Sequence, residues 1–135
     1  MKGILTRLAV AAALLAPAHA AAQDSQPERS SEPGSVAILR GLDKVTARTR
    51  DFEAPVGEEV RFAALAITVR YCRKRPPEEP PEVFAFLQVD DRRTDGFGEE
   101  IEGERIFSGW MFASNPALNP LEHPVYDVWV IDCRS

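Results

Sequence analysis

From Val36 to Cys133 the apolar residues recur at every second position, and a proline, a glycine or a charged cluster stands where the alternation stops. A side-chain period of two is the mark of a strand with one face on a core and one in solvent. No long stretch beyond residue 22 repeats with helical period, and Leu118 to Glu122 has room for a single turn. The chain is therefore expected to be all-β: one small domain, a sandwich or barrel of about seven short strands.

Val36 to Leu39 opens the pattern. Lys44 to Arg50 then alternates cleanly, which predicts a half-buried strand with Val45, Ala47 and Thr49 on its inner face. Phe52, Ala54 and Val56 continue at spacing two until Pro55 and Gly57 turn the chain. Val60 and Phe62 start another face, and Leu65, Ile67, Val69 and Tyr71 follow on odd numbers. The slip of phase at Ala63-Ala64 predicts a bulge or tight turn. Pro76, Pro77, Pro80 and Pro81 mark a stiff connector, since proline at that density cannot join a ladder. Val83 to Val89, Ile106 to Phe112 and Val125 to Cys133 are further strands. The last is apolar on both sides and is expected to be central, with Cys133 sharing a face with Trp129 and Ile131.

The first residues carry a second constraint. Lys2 and Arg7 precede the uncharged stretch Leu8 to Ala16, Pro17 breaks it, and Ala18-His19-Ala20 supplies small residues for cleavage. This is the pattern of a secretory signal cut near residue 20 or 22, too short to span a bilayer. Residues 1–22 are thus assigned to a signal peptide, 23–35 to a flexible polar leader and 36–135 to the β domain. The expected location is the periplasm. Without Lys2 and Arg7 the chain has 14 basic residues against 21 acidic, a net charge of −7. That charge disfavours nucleic acid and anionic membrane surfaces. Two cysteines, Cys72 and Cys133, in an exported chain read as one disulfide, and with His123 they make too scattered a set for a metal.

Three groups of residues invite a chemical reading. Acids at 91, 95, 99 and 102 with Gly96 reproduce part of a calcium loop, but Arg93 occupies a ligand position and no helices flank it. Ser108 or Ser114 with His123 and Asp127 supplies the residue types of a hydrolase, without a nucleophile elbow or a glycine-rich oxyanion loop. The segment Ile106 to Asp132 gathers both tryptophans, two phenylalanines, Tyr126 and His123 around an Asn-Pro, Asn-Pro, His-Pro connection. X-Pro steps favour one extended course, and loops fixed on a β scaffold commonly carry recognition. Trp110, Phe112, His123 and Tyr126 are accordingly the candidate binding residues, with the loop Ala113 to Pro124. No catalytic residue, metal or cofactor is assigned. The markers of a true immunoglobulin domain are missing, since Ile131 stands where a tyrosine corner requires Tyr.

The stretches LRGLDKVTARTRDFEAPVGEEVRF, LAITVRYCRKRPPEEPPEVFAFLQV and IFSGWMFASNPALNPLEHPVYDVWVIDC resemble a bacterial family known only as domain of unknown function 2155. The likeness spans about residues 36–133 and includes both cysteines, the proline connector and the Gly-Trp-Met-Phe run. It implies an exported envelope protein and brings no activity, cofactor or site residues. The leading expectation is a non-enzymatic binding or adaptor module that recognises another envelope protein or envelope component. A small envelope hydrolase and a purely structural or inhibitory protein are the alternatives.

Overall fold

The computed structural model describes residues 31–135. The expected export signal and residues 23–30 of the expected leader lie outside the described residues. Eight antiparallel strands follow in order: β1 (Glu32–Pro33), β2 (Val36–Asp43), β3 (Arg48–Pro55), β4 (Glu59–Phe62), β5 (Leu65–Lys74), β6 (Val83–Asp91), β7 (Glu104–Phe112) and β8 (Tyr126–Arg134). One sheet runs β1-β5-β6-β7, with β4 also paired to β5, and the other runs β3-β2-β8. Helices are absent among the described residues. The fold is the small all-β domain that the alternation predicts, and the two-residue β1 accounts for the eighth strand.

The two sheets face each other across one core. Leu39, Leu65, Ile67, Leu87, Val128 and Val130 are fully buried in it. Each such side chain contributes about 1.5–3 kcal/mol by leaving water. β6 shows the alternation most plainly: Val83, Ala85, Leu87 and Val89 point inward, and Phe84, Phe86 and Gln88 point outward, half-buried. Residues 31–35, placed by the sequence in the leader, are fastened to the domain. Glu32 and Pro33 pair with Lys74 and Arg73, Gly34 N donates to Cys72 O, and Ser35 N donates to Arg134 O.

Three expectations need correction. Lys44–Ala47 is a turn and not a strand, and Val45 is 77% exposed. The reason is Asp43, whose Oδ1 accepts from Val45 N at 2.9 Å and Thr46 N at 3.2 Å. An aspartate that satisfies the amides two and three residues on closes a hairpin there, so β2 runs on through Gly41 to Asp43 and β3 begins only at Arg48. Tyr71, second, does not share the inner face of Leu65, Ile67 and Val69. A bulge between Val69 and Tyr71 changes the phase, so Tyr71 lies outside, 60% exposed, and Cys72 is buried. Third, β8 ends its sheet instead of standing at the centre. A bulge opposite Ile38 and Leu39 steps over Ile131, so Cys133 faces inward with Val128 and Val130 and not with Trp129. The slip at Ala63-Ala64 is the tight turn expected of it, joining β4 to β5 with Ala63 at φ 49°.

The two bulges bring Cys72 and Cys133 within 5.8 Å, Cα to Cα, and the two form a disulfide between the sheets.

Candidate functional site

β7 ends its sheet, and no described strand pairs with its far side. The outer face of β5, β6 and β7 next to that edge is covered with rings. Tyr71 stands opposite Phe86, and Phe86 opposite Trp110. Phe84 stands opposite Phe112. Trp110 is the hub, with ring centroids 5.4 Å from Phe86, 5.8 Å from Phe84 and 6.2 Å from Tyr71. Phe112 lies 6.2 Å from Phe84. The Tyr71 and Trp110 planes differ by 25° and wall a hollow of about 400 Å³ with Arg70 and Phe86. The Arg70 guanidinium donates to Gln88 Oε1 at 2.9 Å, which fixes one rim.

Five aromatic side chains on a solvent-facing sheet surface are not required by the core, which the opposite face of β6 already fills. Of the four residues singled out in the sequence, Trp110 and Phe112 belong to this surface. Tyr71, Phe84 and Phe86 were missed as site residues. The signal for the phenylalanines lay in the apolar residues on both faces of Val83 to Val89. Nothing in the sequence pattern marked the bulge that exposes Tyr71.

His123 and Tyr126 lie in a second cluster. Their rings stack at 5.3 Å, and Tyr126 meets Phe62 edge-on at 5.9 Å. His123 is 8% exposed. Its Nδ1 accepts from Val125 N at 3.1 Å and Tyr126 N at 3.0 Å. An imidazole accepting at Nδ1 carries its proton on Nε2, and Nε2 lies 3.4 Å from Asp91 Oδ2. Arg93 holds the same oxygen from 2.8 Å.

Nδ1 is thus engaged, Nε2 makes no hydrogen bond among the described residues, and the carboxylate nearest it is Asp91, not Asp127. Ser108 is exposed on β7, opposite Gln88. Ser114 Oγ donates to Glu82. The contacts of a serine nucleophile with its base are not among those made here.

The connection from Ala113 to Pro124 is fastened along its length. Ser114 N and Oγ donate to Glu82, Asn119 Nδ2 donates to Trp110 O at 3.1 Å, Leu121 is buried, and Lys44 Nζ donates to His123 O at 2.8 Å. Burial pushes the Glu82 carboxyl up, but the hydrogen bonds from Ser114 and Val83 outweigh it, so its pKa lies below the usual range. Asn119 lies over Gly109 and closes one stretch of the β7 edge. Because Trp110 O is turned toward Asn119 and away from β6, the two-residue repeat of the ladder turns the backbone groups of Ser108 outward as well.

In the partial calcium loop, Asp95 Oδ1 accepts from Phe97 N and Glu99 N, each at 2.9 Å. Asp91 is turned inward to His123 and Arg93. No three His, Cys, Asp or Glu side chains converge on a metal position among the described residues. No helix among them is long and apolar enough to cross a membrane.

An uncharacterised protein of Rickettsia prowazekii (strain Madrid E), RP359, is 26% identical over 92 residues, which cover 68% of this chain and 56% of that protein. The chain therefore spans little more than half the length of that relative. No solved structure matches. The model of a family described as uncharacterised proteins conserved in bacteria, domain of unknown function 2155, matches residues 37–133. With both cysteines, the ring-bearing strands and the fastened connection all inside that match, the chain belongs to this family.

Proposed function

We propose that the protein is an exported, non-enzymatic binding module of the bacterial envelope that holds an extended segment of another envelope protein. The observation that carries this reading is the ring surface of Tyr71, Phe84, Phe86, Trp110 and Phe112 beside the unpaired edge of β7. A strand added to a free edge gains main-chain hydrogen bonds, and its alternate side chains fall on the neighbouring face. Aromatic anchors dominate the energy of such contacts. Arg70 and Gln88 at the rim supply polar partners beside the rings.

The test places a photo-cross-linking amino acid at Ser108 in the full chain, in its own host, with a control at Asp51 on β3. The expected result is one adduct from position 108, mapped to an extended stretch of an exported protein. It is absent from position 51 and lost when Tyr71→Ala and Trp110→Ala are combined. Adducts of equal yield at both positions, or indifferent to the ring substitutions in a folded variant, overturn the reading. Export is checked in the same cells: the periplasmic fraction should hold a chain beginning near residue 21 or 23, and a cytoplasmic, full-length chain overturns it.

A further inference from the structure

The inner face of the β3-β2-β8 sheet changes character from one end to the other. Its cross-strand rows run Ala54, Ala37, Cys133; then Phe52, Leu39, Val130; then Arg50, Gly41, Val128; and last Arg48, Asp43, Tyr126. Residues directly opposite one another share a face, so Arg48 and Arg50 stand at positions that face the core elsewhere in the strand. Both are exposed, because the sandwich opens at this end. The resulting mouth holds a cleft of about 640 Å³, with Thr46, Phe62 and Tyr126 also on its wall. Mouths of β structures and volumes of this order are where small molecules bind.

The charges in the mouth are unbalanced. Arg40, Arg61, Arg92, Arg93, Arg105 and Arg134 each form an ion pair with a carboxylate. Arg48 and Arg50 form none among the described residues, although acids outnumber bases along the chain. Asp43 shares their cleft, but its Oδ1 is taken by the amides of Val45 and Thr46. Arg50 is also positioned in advance. Its guanidinium lies 5.4 Å from the Phe62 ring and 6.0 Å from Phe52, and those two rings stack at 5.4 Å and 9°. A guanidinium held over aromatic faces keeps its hydrogen-bonding fork free for an oxyanion.

We infer that this mouth is a binding site for a small organic acid, a carboxylate or phosphate carried on an apolar body. The oxyanion pairs with Arg48 and Arg50, and the body lies against Phe62 and Tyr126. The site is lined from the β3-β2-β8 sheet and from β4, shares no residue with the ring surface, and stands whether or not that surface holds a partner.

The test is a nuclear magnetic resonance titration of the chain from residue 23 onward, as exported, with phenyl phosphate, phenylacetate, inorganic phosphate and benzyl alcohol. Saturable shifts at residues 43–50, 62, 63 and 126 are expected with the two aromatic acids. Benzyl alcohol should give none, and inorganic phosphate should bind about tenfold more weakly. Arg48→Gln with Arg50→Gln breaks no ion pair, so the fold survives, its spectrum elsewhere is unchanged, and binding weakens at least about tenfold. Added salt should weaken binding in the parent protein.

No saturable shift up to about 10 mM acid overturns the site. Equal binding of inorganic phosphate reduces it to an adventitious ion only and overturns it as well. Acids outnumber bases along the chain, so vesicles of phosphatidic acid in phosphatidylcholine should not bind. Vesicle binding would assign the arginines to a lipid surface and overturn the soluble-ligand reading. Self-association of the double variant, with no acid bound by the parent, would instead make the arginines guards of the β3 edge.

Discussion

Gly41 is the position in β2 where a side chain has no room. A Cβ there would stand 2.4 Å from two carbons of the Phe62 ring. The absence of that carbon lets Phe62 lie on the β2 backbone and stack with Phe52, which sets the floor under Arg50. Gly41→Ala should destabilise by about 1–3 kcal/mol through overpacking, read as a lower midpoint in urea unfolding. His123→Ala strips the acceptor from two backbone amides and is expected to cost a similar amount, about 1–3 kcal/mol. Trp110→Ala is different: the ring is partly exposed and supports no core neighbour on the inner face. Its loss removes three ring contacts, each worth about 0.5–1.5 kcal/mol, and should leave the inner core packed and the domain folded while abolishing the cross-link from position 108.

The elements owe their arrangement to single-residue irregularities. The bulge at Arg70 exposes Tyr71 and buries Cys72, and the bulge at Ile131 turns Cys133 inward. Deleting Arg70 should remove the extra residue and leave Val69, Tyr71 and Cys72 opposite Leu87, Phe86 and Ala85 as now, with Tyr71 outside and Cys72 inside. Thiol titration of that variant should find no free cysteine, as in the parent protein, whereas a deletion away from the bulge, at Thr68, should shift the phase and free both thiols. Free thiols in the Arg70 deletion would show that the register on either side of the bulge does not aim Cys72.

This also explains how much of the molecule could be read from the chain. The inner faces of β5 and β6 were legible because Leu65, Ile67, Val69 and Leu87 repeat at spacing two and burial rewards that repeat. Tyr71 and Cys133 were assigned to the wrong faces because one extra residue inverts parity without altering composition. Val45 misled for another reason: a hairpin turn of four residues mimics the period of a strand. Of the candidate site, Trp110 and Phe112 were legible as a ring-rich run. Their partners on β5 and β6 are distant in sequence, and only cross-strand register brings them together. The Arg48 and Arg50 mouth was hidden because those arginines were read as the solvent side of a strand that begins later than expected.

For the molecule as a whole, the disulfide joins sheets through residues 61 apart. Replacing both cysteines by alanine should cost about 4 kcal/mol in the chain-entropy account, a large part of the 5–15 kcal/mol typical of a domain. Urea unfolding of the double variant against the parent measures it. Acid should weaken the fold as well. Arg105 beside Asp90 and Lys74 beside Asp132 hold those carboxyls below their usual range, as the Ser114 bonds do for Glu82. The unfolded chain therefore binds protons more readily than the folded one. Stability from these groups is complete above the ordinary carboxylate range and drains away as pH falls through their lowered values, so thermal midpoints should fall below about pH 4. A midpoint unchanged from pH 7 to pH 3 would contradict this.

Because each cysteine reaches the interior only after its strand has stepped over one residue, the Cys72–Cys133 bond works as a checksum on register. A chain that pairs β5 or β8 one residue out presents one sulfur to the core and the other to solvent. Oxidation then seals only those molecules in which both strands have counted correctly.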